Sequence, residues 1–133
     1  MPREELTGRL STGIGQGKHF TTLEWVRQQF IGKLDIDPFP GTLNLIVGDS
    51  ESKRIWNRLK STPGVRIGNP GNGPHDCDAR CYPVAIEGQI DGAIVLPEVV
   101  GYPPAQIEVI AAIQVRESLD IEDGDLLTLQ VLP

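Results

Sequence analysis

Arg80-Cys81-Tyr82-Pro83-Val84-Ala85-Ile86-Glu87 and Gln89-Ile90-Asp91-Gly92-Ala93-Ile94-Val95-Leu96 flank a single glycine, Gly88. Two β-rich runs of equal length around a glycine turn read as the strands of a hairpin. Toward the C-terminus, a turn-rich loop at 98–105 carries Gly101-Tyr102-Pro103-Pro104, and 106–112 reads as a strand. A helical turn from Val115 to Leu119, an Asp123-Gly124-Asp125 turn and a strand from Leu126 to Leu132 follow. Toward the N-terminus lie a loop at 68–78, a brief strand Val65–Ile67, a short helix Ser50–Lys60 and a strand Thr42–Val47. Before these, Thr21-Thr22-Leu23-Glu24 has capping-box spacing. Leu23, Val26, Phe30 and Leu34 then form one helical apolar stripe, ended by Pro38 and Pro40. Residues 4–11 read as a first strand, with Leu6 and Leu10 facing one way, and a glycine-rich loop follows it. Many short strands with interposed helices predict a mainly-β chain, a small barrel over 1–133 as one domain.

The composition narrows the function. Hydrophobic residues are 39% and charged residues 23%, an ordinary soluble balance, and the 15 glycines and 11 prolines suit a turn-rich β fold. The net charge is −6 with no basic stripe, which argues against a nucleic-acid partner. Residues 1–5 are too polar for a signal peptide, and no apolar run reaches membrane-spanning length, so a cytoplasmic location without a membrane partner is expected. Two cysteines, Cys77 and Cys81, exclude a disulfide framework or a four-cysteine zinc site within the chain.

Five constellations can carry chemistry. Gly13-Ile14-Gly15-Gln16-Gly17-Lys18 lies between a strand and a helix, where glycine backbone N–H groups crowd around an anion and a lysine adds charge. Its spacing is neither a Walker A motif nor a dinucleotide fingerprint, and a tight glycine turn accounts for it equally well. Thr42 and Asn44 are two apart on a strand and share a face, with Leu43 and Leu45 turned to the core. Their hydroxyl and amide oxygens suit Mg²⁺, which needs only one or two protein oxygens; the alternative is an edge strand facing water. Glu108, between Ile107 and Val109, is either a base or ligand contact, or the outward face of an alternating strand. Arg116 is either ligand-facing or a surface residue paired with Glu117 or Glu122. His75, Cys77, Asp78 and Cys81 make a zinc site only with a ligand from elsewhere, and otherwise a loop with free thiols.

In order, Thr12–Phe20, Pro38-Phe39-Pro40-Gly41-Thr42-Leu43-Asn44-Leu45, Ile90–Pro97, Ile107-Glu108-Val109-Ile110-Ala111 and Val115-Arg116-Glu117 through Gly124-Asp125 resemble the archaeal-type CTP-dependent riboflavin kinases over nearly the whole chain. The resemblance implies a six-stranded cradle-loop barrel with two or three short helices. It also implies Mg²⁺-assisted transfer of the terminal phosphate of CTP to the 5′-hydroxyl of riboflavin, giving FMN and CDP. By the same resemblance, Gly13, Ile14, Gly15, Gln16, Gly17, Lys18, Ile113, Gln114, Val115 and Arg116 contact the nucleotide, and Thr42 and Asn44 ligate Mg²⁺. The resemblance likewise implies that Glu108 contacts the flavin, and this residue is the candidate for orienting the acceptor. Two positions depart from the family pattern: Val100 stands where a threonine usually helps hold the flavin, and Ala112 where proline is usual. Losing that hydroxyl removes a contact worth on the order of 1 kcal/mol. The rival expectations are a non-catalytic nucleotide- or flavin-binding module on the same barrel, and a transcription-regulator-like barrel, against which the acidic charge argues.

Overall fold

The computed structural model describes residues 4–11, 23–68, 78–98 and 101–132. Among them the strands are β1 (Glu5–Ser11), β2 (Leu43–Val47), β3 (Val65–Ile67), β4 (Ala79–Ile86), β5 (Ile90–Pro97), β6 (Gln106–Ala111) and β7 (Leu126–Val131). The helices are α1 (Glu24–Leu34), α2 (Ser50–Lys60) and α3 (Val115–Leu119).

All strand pairs are antiparallel, in the order β3-β4-β5-β6-β2-β1-β7, and a further β4–β7 pairing closes the sheet. The closed ring is the six-stranded barrel the sequence implies. β4 gives one edge to β5 along its whole length and divides the other, Ala79–Cys81 pairing with β3 and Val84–Ile86 with β7. The hairpin turns through Glu87 and Gly88, both at positive φ, and the Gln89 N–H donates to the Ile86 carbonyl.

Strand alternation sorts the apolar residues into two packed layers. Leu6, Leu10, Leu43, Leu45, Ile94, Ile107, Val109, Leu127 and Leu129 fill the barrel, and α2 lays Ile55, Trp56 and Leu59 on the same cluster. Outside the barrel, Val26 and Phe30 of α1 cover Ile67, Cys81, Ala93, Val95 and Ile110. Leu23 and Leu34 complete that stripe at its edges.

The capping-box reading does not hold. α1 begins at Glu24 behind Leu23, so Glu24 is the first helical residue rather than the third, and Leu23 gives no side-chain cap; Thr21 and Thr22 lie outside the described residues. A real cap stands on α2, where the Asp49 carboxylate accepts from the Ser52 N–H at 2.8 Å. No helix among the described residues is long and apolar enough to cross a membrane.

Candidate functional site

The strand registers line up one row of outward-facing residues across the barrel. Ser11 pairs with Asn44, Asn44 with Glu108, Glu108 with Val95, Val95 with Cys81, and Cys81 with Val65. The row changes character midway. From Val95 onward it is apolar and lies beneath α1; Ser11, Asn44 and Glu108 form its open polar half. Among the described residues, α1 covers the apolar half of this row and leaves the polar half to other elements.

Thr42 is brought to the same face by the segment after α1. Asp35 closes the helix in the left-handed conformation. A two-pronged pair from Arg27 to Asp37 (2.8 and 3.0 Å) ties the outgoing chain back to α1. Ile36 and Pro38 are buried, and the Phe39 N–H donates to the Ala111 carbonyl at 2.8 Å. Gly41 then turns the chain at φ 105°, a conformation side-chain-bearing residues rarely adopt, and delivers Thr42 to the head of β2.

Around Glu108 the polar groups converge. The Thr42 hydroxyl donates to Oε1 at 3.0 Å, and the Tyr102 hydroxyl donates to Oε2 at 2.6 Å. Gln106 Nε2 reaches Asn44 Oδ1, and Asn44 Nδ2 reaches the Thr42 carbonyl, both at 3.4 Å. Burial, then the bond to Glu108 and its charge, push the Tyr102 phenol far above its ordinary range. Glu108 therefore does lie on the outward face of its strand, and it is also the hub of a hydrogen-bonded cluster.

Beside this cluster opens a cleft of about 130 Å³. Pro40, Gly41 and Thr42 form one wall, Ile113, Gln114, Val115 and Arg116 the other, with Leu43, Val109 and Ala111 between. Phe39 and Ile113, 41% and 45% exposed, stand apolar at its rim. The Gln114 side chain accepts from the Arg116 N–H and starts α3. The Arg116 guanidinium pairs with Asp123 at 2.7 Å and reaches the Ser11 carbonyl at 3.4 Å. Glu117 and Glu122, the partners expected from sequence, are not the ones it finds. Asp120 at φ 52° ends α3 and turns the chain so that Asp123 arrives instead. The Asp123-Gly124-Asp125 turn is itself bonded to the end of β1: Leu10 N–H to the Asp125 carbonyl, Gly124 N–H to the Leu10 carbonyl, and Arg9 to the Gly124 carbonyl.

Of the residues singled out from sequence, Thr42, Asn44 and Glu108 are thus gathered in one cluster, and Ile113–Arg116 line the adjoining cleft. Gly13–Lys18 and Val100 lie outside the described residues, as do His75 and Cys77. Ser11, the residue before that glycine loop, is paired with Asn44 and touched by Arg116. The zinc alternative loses Cys81 and Asp78. Cys81 is fully buried under α1 with burial pushing its thiol up to about 12, and Asp78 pairs with Arg66. Tyr102 and Gln106 were not singled out from sequence. The one sign of Tyr102 is an aromatic residue within a glycine- and proline-rich loop.

The donor set suits a hard cation. The Thr42 hydroxyl gives its hydrogen to Glu108 and keeps its lone pairs, while Asn44 offers an amide oxygen on the same face. Mg²⁺ needs only one or two such oxygens. Among the described residues no group of three or more His, Cys, Asp or Glu could hold a metal ion.

A family model described as CTP-dep_RFKase, domain of unknown function DUF120, matches residues 10–131. A riboflavin kinase of Methanosarcina acetivorans is 39% identical over 96% of this chain and 53% of its own length. That of Methanosarcina barkeri is 38% identical over 96% and 56%. That of Saccharolobus solfataricus is 33% identical over 96% and 73%. The chain spans about half the length of the two Methanosarcina relatives. With the match running from the end of β1 through β7, the chain belongs to the CTP-dep_RFKase family, the CTP-dependent riboflavin kinase domain.

Proposed function

We propose that this domain is a CTP-dependent riboflavin kinase, moving the terminal phosphate of CTP to the 5′-hydroxyl of riboflavin to give FMN and CDP. The observation that carries the reading is the convergence of Ser11, Thr42, Asn44, Glu108 and the 113–116 wall on one side of the barrel. A nucleotide in the cleft has its phosphates directed to the glycine loop that starts after Ser11, where Gly13–Gly17 amides and Lys18 neutralise them. Local neutralisation is what a chain of net charge −6 needs for a polyanionic ligand. Ile113, Gln114, Val115 and Arg116 border the nucleotide, with the rim residues Phe39 and Ile113 apolar enough to pack on a planar base.

Thr42 and Asn44 would hold Mg²⁺, which would supply charge neutralisation for the phosphates. Glu108 orients the acceptor hydroxyl. Each carboxylate oxygen has two lone pairs. Among the described residues, Thr42 and Tyr102 occupy one on each, which leaves one on each for an incoming hydroxyl. Catalysis of this kind is positioning and charge neutralisation, with little covalent work for the protein. Val100 in place of a threonine donor weakens the grip on the flavin.

Thermal-shift titration with CTP, ATP, Mg²⁺ and riboflavin tests the reading, since a specific ligand stabilises by mass action. CTP with Mg²⁺ raises the melting temperature, and riboflavin raises it further. A shift with CTP and Mg²⁺ but none with riboflavin identifies a nucleotide-binding module or a different acceptor. No shift with any nucleotide ends the kinase reading. Thr42→Ala and Asn44→Ala each weaken the Mg²⁺-dependent part of the shift; unchanged shifts in both variants refute the metal assignment.

A further inference from the structure

We infer that Tyr102 and Glu108 act as a relay that fixes the direction of the Thr42 hydroxyl, making Tyr102 a positioning residue for cation binding. The inference rests on the proposed nucleotide-and-Mg²⁺ reading of this site and goes one layer behind its ligands.

A threonine hydroxyl has one hydrogen and two lone pairs, and it rotates freely unless something holds the hydrogen. With the hydrogen pointing outward, it meets a cation with the wrong end of its dipole. Here the hydrogen is committed to Glu108 Oε1 at 3.0 Å, which leaves only lone pairs for the open face of the cluster. That holds only while Glu108 itself cannot turn. Its carboxylate sits on an outward-facing strand position whose row neighbours are Asn44 and Val95. Neither neighbour donates a hydrogen bond to it among the described residues. The restraint comes from Tyr102, whose hydroxyl caps Oε2 at 2.6 Å from the loop ahead of β6.

Tyr102 is only partly buried, and its ring packs against the barrel's apolar cluster, so the ring is anchored while the hydroxyl reaches the site. The three residues form a chain of donations, Tyr102 to Glu108 and Thr42 to Glu108, that ends in an oriented oxygen. Asn44 is steadied separately: Gln106 donates to its Oδ1 and its Nδ2 donates to the Thr42 carbonyl, which sets which end of the amide is oxygen. Groups that orient metal ligands in this way, without touching the ion, set metal affinity by about 10–100-fold. The partial exposure of this cluster places Tyr102 near the lower end, about tenfold.

The test is CTP affinity measured by calorimetry in saturating Mg²⁺ and again in EDTA, for wild type, Tyr102→Phe, Thr42→Ser and Thr42→Val. The ratio of the two affinities isolates coupling to the cation from contacts to the nucleotide. Wild type shows a large ratio. Tyr102→Phe keeps the ring and its packing, leaves the EDTA affinity unchanged and cuts the ratio about tenfold. Thr42→Ser retains the ratio because the hydroxyl remains, and Thr42→Val lowers it at least as far as Tyr102→Phe does. A Tyr102→Phe protein with the full wild-type ratio overturns the relay while leaving the proposed function standing. A Tyr102→Phe protein that loses affinity equally in Mg²⁺ and EDTA also overturns it, because the role is then structural. Wild-type protein that binds CTP equally well with and without Mg²⁺ overturns both the relay and the metal reading beneath it.

Discussion

The bond from Tyr102 to Glu108 has a spectroscopic consequence that needs no ligand. The chain has two tyrosines, Tyr82 and Tyr102. Both phenols are held above the ordinary value of 10.0, Tyr82 by burial, and Tyr102 by burial and then by its bond to a carboxylate. A Tyr82→Phe variant keeps the ring that stacks edge-on against Trp56 and leaves Tyr102 as the only phenol. Its tyrosinate absorbance then reports one group. Adding Glu108→Gln replaces the charged acceptor with a neutral amide oxygen and leaves the burial intact. A hydrogen bond to a charged group contributes roughly 1.5–3 kcal/mol and a neutral one about half of that. The site is partly exposed, so solvent screening reduces the difference to about 0.5–1 kcal/mol. At about 1.4 kcal/mol per pH unit, the Tyr102 midpoint falls by roughly half a unit.

The sign for stability follows from the same shift. A phenol whose folded value is raised contributes its full stability below pH 10.0, the unfolded value, and loses it as pH rises from there toward the folded value. Urea midpoints therefore stay flat with respect to Tyr102 below pH 10 and decline above it, less steeply in Tyr102→Phe. A Tyr102 midpoint at pH 10 in the Tyr82→Phe protein, or no movement on adding Glu108→Gln, refutes the contact and the relay built on it.

Two further outcomes test the packing. A methyl group on Gly92 would stand 2.6 Å from the Ile110 carbonyl oxygen and 2.9 Å from Ile86 Cδ1, so Gly92→Ala costs about 1–3 kcal/mol in urea unfolding; an unchanged midpoint means that β5 and β6 are not so closely apposed. In a Cys77→Ser protein the one remaining thiol is Cys81, buried and held as the unreactive thiol form, so a disulfide-exchange reagent at pH 8 labels it only after denaturant is added. Labelling in native buffer contradicts the placement of Cys81 beneath α1.

Much of the barrel was legible where the residues speak locally. The 80–96 hairpin, α2 and α3 follow from short-range pattern, and α2 and α3 fall on the expected residues, Ser50–Lys60 and Val115–Leu119. Period-two alternation placed Thr42 and Asn44 opposite Leu43 and Leu45, and both leucines are in the core. What escaped was decided by tertiary position. Tyr102 lies in an irregular loop, where no periodicity says which way a ring points. Arg116 finds Asp123 because a left-handed residue at Asp120 redirects the chain, and the pattern of charges alone favoured nearer acids. The start of α1 was misplaced because capping-box spacing is a short signal; the helix opens at Leu23 without a side-chain cap.

The divided edge of β4 has a consequence for how the molecule comes into being on the ribosome. Its Val84–Ile86 half stays without its β7 partner until Leu129–Val131 have emerged, and β1 waits for the same strand. The row through Ser11, Asn44 and Glu108 is likewise incomplete until more than a hundred residues have been made. Synthesis thus withholds the pocket until nearly every stave is available. A nascent chain stalled before Leu126 exposes two unsatisfied sheet edges and has no closed barrel on which to hold a ligand.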